Sequence, residues 1–296
     1  MSACDIVGLG ENSVDLVYRV PHPAGVGDKV RASHCRRLLG GQVATTLCTC
    51  SALGLRTRYV GTFGNDEHGR LIRAELEQRG IDTTFSSVRY APNRHAVILV
   101  DEQTGERTVV WQRDQALAVR PEQVTGDAIG GARLLHLDNV DEDAALVAAR
   151  LGRAAGMIVT TDIDRVTAAT PELIAAATFP ILAERVPHAL TGEADPERAL
   201  RAMRTRHEGM LCVTLGTRGS MLLVGDQLYQ VPAFRVDAVD TTGAGDVFRG
   251  AMMFSLLRGD APEVMLRFAS AAAAVACTRE GAIAGVPTHE DIRRLL

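Results

Sequence analysis

The stretch VDTTGAGDVFRGAMMFSLLRG, Val239 to Gly259, sets a polar loop broken by glycines directly in front of an apolar segment. Val247, Phe248, Ala251, Met252 and Leu256 recur at helical intervals, so the spacing predicts a helix that begins near Gly245. Gly243 and Gly245 permit backbone angles that other residues avoid, and they leave no side chain to keep a ligand away. The unpaired N–H groups of the first turn and the positive end of the helix dipole then form an anion site suited to phosphate. Asp246 is out of place beside such a site. Its carboxylate must cap the helix, hold a metal, or take a proton from an attacking hydroxyl.

The rest of the chain narrows the setting. With 296 residues, 46% of them hydrophobic, it can form one large α/β domain with a small appendage. A net charge of −4, and no basic run interleaved with aromatics, argue against a nucleic-acid partner. No apolar run approaches the roughly 20 residues that cross a bilayer, so no membrane partner is expected. MSACDIVGLG has neither a basic start nor a cleavable apolar stretch and reads as a buried strand, with a cytoplasmic location expected. Cys4, Cys35, Cys48, Cys50, Cys212 and Cys277 form no CxxC pair and read as reduced thiols, mostly in the core. Lys29 is the only lysine among 32 basic residues, which excludes the GxxxxGK[ST] phosphate loop. GLGENS lacks the third glycine of a dinucleotide-binding GxGxxG.

Strand and helix patterns alternate, which implies a mostly parallel sheet covered on both faces. DIVGLG, ARLLHLD, MIVTTDID and MLCVTLG read as strands. ATTLCTCSALG, EHGRLIRAELEQRG, DEDAALVAARLGRAAG and DPERALRAMRTRH read as helices, and the last 50 residues mostly as two more, Gly245 to Arg258 and Pro262 to Cys277. Two places break the alternation. DLVYRVP with KVRASHC, and HAVILVDEQTGERTVVWQ with a turn at Thr104 and Gly105, read as short strands of a β flap over about 15–37 and 94–113. Such a flap suits a lid that keeps water from phosphoryl transfer, or a surface for a homodimer, and the two uses are compatible.

Read together, these segments resemble the ribokinase-like carbohydrate kinases, the PfkB family, over nearly the whole chain. The D-T-x-G-A-G-D signature is matched from Asp240 to Asp246; GGQVATTLCTCSALG resembles the Gly-Gly pair that opens a helix, and VGTFGNDEHGR the stretch that follows it. The resemblance implies a ribokinase-like α/β fold of one domain, 1–296, and an ATP-dependent kinase acting on a small sugar, ketose or sugar acid. It casts Asp246 as the base that takes the hydroxyl proton, while Gly243, Ala244 and Gly245 hold the transferring phosphoryl group. It also places Asp15, Gly40, Gly41 and Asp138 at the sugar, with Thr45 where ribokinases often carry asparagine.

For the nucleotide, VTLGTRGS resembles the family's adenine-nucleotide segment, which implicates Thr214, Gly216 and Gly219. The family's N-x-x-E motif is reduced to Glu184, with Ala183 and Val186 at its fixed places, so magnesium would rest chiefly on ATP and water. Asp240, Thr242 and the TREGAIAG loop around Gly281 resemble a monovalent-cation site, which would take potassium. PAFRVDAVDTTGAGDVF, RFAS and CTREGAIAGVP look most like the branch of sulfofructose and related ketose kinases. Lys29 and Arg113, both assigned to the flap, are the expected contacts for an anionic group on the substrate. A nucleoside kinase and a non-catalytic sugar or nucleotide sensor share the fold and stay open as alternatives, although a sensor would be expected to have lost Asp246 or its glycines.

Overall fold

The computed structural model describes residues 4–22, 24–104 and 106–296. In chain order the elements are β1 (Ile6–Leu9), β2 (Ser13–Val20), β3 (His34–Gly40), α1 (Gln42–Ala52), β4 (Thr57–Val60), β5 (Thr62–Gly64), α2 (Glu67–Gln78) and β6 (Ser87–Arg89). They continue with β7 (His95–Asp101), β8 (Arg107–Gln112), α3 (Gly126–Ile129), β9 (Leu134–Asp138), α4 (Glu142–Ala154), β10 (Ile158–Ile163), α5 (Thr170–Ala176), β11 (Phe179–Ala183) and α6 (Arg185–Thr191). The last are α7 (Pro196–Arg204), β12 (Leu211–Thr214), β13 (Ser220–Val224), β14 (Gln227–Val231), α8 (Ala244–Arg258), α9 (Pro262–Cys277) and α10 (His289–Leu295).

Eight strands form the central sheet in the order β14-β13-β12-β11-β10-β9-β1-β4. The run from β12 to β4 is parallel, and β13 and β14 are antiparallel additions. Parallel strands need crossover helices, and these bury both faces of the sheet. One apolar cluster joins α1, α2, α8, α9 and α10 to one face; the other joins α3 to α7 to the opposite face. Because the strands are parallel, Gly10, Asp138, Asp162, Glu184 and Thr214 all fall at the carboxyl edge, where open α/β sheets bind ligands.

A second sheet, β3-β2-β7-β8, stands beside this edge as the lid. Its second strand is displaced from the expectation. KVRASHC was assigned to it, but the strand starts at His34 and runs to Gly40, which leaves Lys29 to Ser33 in the preceding loop. The β7–β8 turn contains Gly105, which lies outside the described residues. A third C-terminal helix, α10, follows the two expected ones, capped by Thr288 with Asp291. Among the described residues no helix is long and apolar enough to cross a membrane.

Candidate active site

The loop in front of α8 is shaped by its glycines. Gly243 is the N-cap at φ 76°, and a Cβ there would stand 2.5 Å from the Ala282 methyl. The helix starts at Ala244, so the N–H groups of Gly245 and Asp246 belong to its unpaired first turn. Two contacts fix this start against α1. Thr46 Oγ1 donates to the Asp246 carbonyl at 3.2 Å, and a Cβ on Gly250 would lie 2.6 Å from Thr49 Cβ. The glycine openings of α1 and α8 therefore stand side by side.

The residues expected at the sugar gather at the same place. Gly41 opens α1 at φ 102°, pressed so closely on Asn12 that a Cβ would come 2.4 Å from its Cα. From Gly40, a Cβ would be 3.6 Å from both Asp15 Oδ2 and the Ala282 methyl. Thr45 is fully buried beside Gly243, and its hydroxyl has no partner. Gly40, with Asp15 beside it, and Gly243, with Thr45 beside it, thus both border Ala282, a residue the sequence reading did not single out.

Arg94 sets the electrostatics of this side. Its guanidinium lies 3.3 Å from both Asp15 and Glu11. Burial raises the pKa of both carboxyls, and Arg94 opposes that rise in each. Asp138 is tied inward, where its carboxylate accepts from the N–H groups of Glu11 at 2.6 Å and Val140 at 3.0 Å. Burial, and then the charge of Glu11, push Asp138 well above the usual range. Both of its oxygens are occupied by backbone, so it shapes the Gly10–Glu11 turn.

The two expected anion contacts are elsewhere. Arg113 is bound to Asp141 at 2.7 Å and donates to the Leu117 carbonyl, so its charge is already matched. Lys29 is exposed on the β2–β3 loop and does not line the cleft under the lid. That cleft, about 220 Å³, is lined instead by Arg19 and Arg107, with Asp15, Asp240, Thr242 and Glu280. The register sets Val100 beside Arg19 and Arg107 beside Val100, which puts the two arginines on one face, two strands or about 10 Å apart. Alternation along β2 shows why: Asp15, Val17 and Arg19 share a face, whereas Lys29 is on no strand.

Asp240 joins two loops. One oxygen accepts from Thr242 N–H and the other from Gly281 N–H, each at 2.9 Å. Burial acts to raise its pKa, but those hydrogen bonds and nearby Arg107 prevail and hold the carboxyl below the usual range. At the nucleotide side, Gly216 at φ 56° and Gly219 at φ 95° bound the turn after Thr214, and Arg218 of that turn pairs with Glu184. Among the described residues no group of three or more His, Cys, Asp or Glu is placed to hold a metal.

Beneath the glycine loop lies a group that sequence spacing did not reveal. Asp162, at the end of β10, is paired with Arg249 of α8 at 2.6 Å, and beyond that ion pair its carboxylate oxygens have no hydrogen-bond partner among the described residues. Asp246 is pushed well above the usual range by burial first and by the charge of Asp162 second, with Arg249 opposing.

The chain is similar to known proteins over nearly its whole length. The model of the pfkB family carbohydrate kinases matches residues 4–289. The chain is 28% identical to probable fructokinase-4 of Arabidopsis thaliana over 98% of this chain and 96% of that protein. It is also 28% identical to the ribokinase of Arabidopsis thaliana over 98% of this chain and 80% of that one. The crystal structure of ribokinase from Thermotoga maritima superposes with a TM-score of 0.87 at 28% identity, covering 99% of both chains. Arabidopsis thaliana ribokinase, solved with ribose and ATP, gives a TM-score of 0.86 at 25% identity over 99% of this chain and 98% of that one.

Proposed function

This chain belongs to the pfkB family of carbohydrate kinases, and on that premise we propose that it transfers the γ-phosphate of ATP to a primary hydroxyl of a small sugar, ketose or sugar acid. The observation that carries the reading is the position of Asp246, in the first turn of α8 beside Gly245 and three residues after Gly243, which meets Ala282 across from Gly40 and Asp15. The acceptor hydroxyl lies between Asp15 and Asp246. Asp246 takes its proton as the oxygen attacks the γ-phosphorus, and the N–H groups of the Gly243–Gly245 loop hold the phosphoryl oxygens. An aspartate suffices because this transfer depends mainly on position and charge.

Magnesium fits as a passenger on the nucleotide. Glu184 is the acidic oxygen at the nucleotide side, and its partner Arg218 leaves phosphate and water as the main ligands. Potassium would sit between the Asp240–Thr242 and Gly281 loops, beside a carboxylate whose charge Arg107 partly meets. Fructokinase and ribokinase relatives favour a hexose or pentose, and Arg19 and Arg107 in the cleft suit an acidic or sulfonated substituent on it. Free cysteines, four of them buried, suit a reducing cytoplasm. The test is ADP release over a panel of ribose, fructose, sulfonated ketoses, keto-deoxy acids and adenosine. Turnover with a sugar or sugar acid that depends on Asp246 supports the reading; turnover with adenosine alone overturns it.

A further inference from the structure

Trp111 is the only tryptophan of the chain, and it stands exposed on β8, the outer strand of the lid. The strand register decides which way it faces. Residues paired directly across a sheet share a face, and successive residues along a strand alternate between faces. Asp15, Ala96 and Trp111 are paired in turn across β2, β7 and β8; Val17, Ile98 and Val109 form the next row, and Arg19, Val100 and Arg107 the third. Asp15, Ile98 and Arg107, one from each row, line the cleft under the lid. Trp111 is therefore on the cleft face, in the row of Asp15 and two strands or about 10 Å from it. Val110 has the opposite parity and is on the other face.

An indole left open is costly, because aromatic side chains gain most of their stabilisation by being covered. Trp111 is nevertheless held in a defined place. The Arg94 guanidinium lies over its ring, 5.9 Å from the centroid, and the same guanidinium reaches Asp15 and Glu11 at 3.3 Å. Cation–π attraction thus orients the indole from one side, through an arginine fixed by the carboxylate expected at the sugar. Among the described residues no other aromatic ring packs on it.

We propose that Trp111 is a specificity-determining residue, the platform on which the C–H face of the substrate's sugar ring stacks while the ring hydroxyls turn to Asp15 and Gly40. The proposal rests on the reading of this chain as a sugar kinase and names how the sugar is told from other acceptors. A sugar ring carries hydroxyls around its rim and polarised C–H groups on its flat faces. The face of an indole is the negative part of its quadrupole, so it attracts those C–H groups as it attracts Arg94. Stacking also removes apolar area of both partners from water. Val109 widens the platform in the second row, and Arg19 and Arg107 follow in the third. The lid face thus grades from an aromatic end for the ring to a cationic end for an acidic substituent.

Because Trp111 is the only tryptophan, its emission is a direct probe in the unaltered protein. Ribose, fructose, a sulfonated ketose and adenosine are titrated in turn with ADP present, and ADP release from ATP over the same panel gives KM and kcat. The sugar that turns over should shift the emission to shorter wavelength and saturate it over the range of its KM. Trp111→Ala should raise that KM roughly tenfold and change kcat and the KM for ATP much less. Trp111→Phe, which keeps an aromatic face, should stay within about threefold of the wild type, whereas Trp111→Leu, which keeps only apolar area, should lose most of the tenfold. Emission unmoved by saturating sugar, or a sugar KM in Trp111→Leu equal to that of the wild type, overturns the proposal. So does a shift with adenosine and with no sugar, because the platform would then take a flat base. If no sugar turns over, the kinase reading fails by itself and the titration still decides the platform: a saturable shift with a sugar keeps it, and none dismisses it.

Discussion

The guanidinium of Arg107, on the outer lid strand, donates to Thr242 Oγ1 at 2.8 Å and so joins the lid to the loop that leads into the phosphate site. A second bond reaches Thr241 at 3.3 Å, and Asp240 lies 3.8 Å away. The lid is thus tied to the loop proposed to hold the transferring group.

Arg107→Ala should loosen that link. The side chain is 41% exposed, so its charged hydrogen bonds are discounted to about 1 kcal/mol, or roughly fivefold in sugar KM, with KM for ATP changed less. It also uncovers Asp240, so replacing sodium by potassium at fixed ionic strength should accelerate the variant more than the wild type. Equal rates in both salts for both proteins would remove the cation from the account.

Arg94 is the shared counter-charge of Asp15 and Glu11. Arg94→Met leaves two buried carboxyls uncompensated, each already raised by burial, so both rise further. Sugar KM should then worsen as pH is lowered, and stability should fall by about 2–4 kcal/mol in denaturant titrations. A pH-independent KM would show that Asp15 does not meet the sugar as an anion.

Asp246→Asn should separate function from stability. Turnover is expected to fall by roughly 10²- to 10⁴-fold. The folded-state pKa values of Asp246, Asp162 and Asp138 are all raised, so the stability they contribute is present below the ordinary carboxylate range and is lost as pH rises through the folded values. The wild type without ligand should therefore lose thermal stability on going from mildly acid to alkaline pH. Asp246→Asn should lose less and melt higher at alkaline pH. A variant that melts lower there would refute the electrostatic account of the cluster.

Among the described residues the outer strand of the lid pairs only with β7, and Val109, Val110 and Trp111 on it are 51%, 67% and 59% exposed. We expect a homodimer through this sheet. Val110→Lys should shift the mass in light scattering from two chains to one without changing the helical circular dichroism. Unchanged mass at two chains would place the contact elsewhere, and one chain in the wild type would dismiss it.

Much of the fold was legible because the sheet is parallel and its strands read as continuous apolar runs between amphipathic helices. The strand Phe179–Ala183 was not assigned, because Pro180 argues against a central strand. It is tolerated since pairing with β12 begins only at Ile181. In the site, Gly41 and Gly243 were readable since local backbone geometry demands glycine there. Arg113 and Arg249 were not, because each is defined by a partner far along the chain, Asp141 and Asp162. Lys29 was overvalued for its rarity, a property of composition that carries no information about which way a loop faces.

Ala282 works as a spacer gauge. Its methyl group stands between Gly40, expected at the sugar, and Gly243, expected at the phosphate, 3.6 and 2.5 Å from where their side chains would begin. An acceptor and a donor that must meet at near-contact distance lose roughly a hundredfold in rate for about 1 Å of misplacement. The reach of the reaction is thus calibrated by one methyl group that takes no part in it, on a loop tied to the lid through Ile283 N–H and the Leu39 carbonyl.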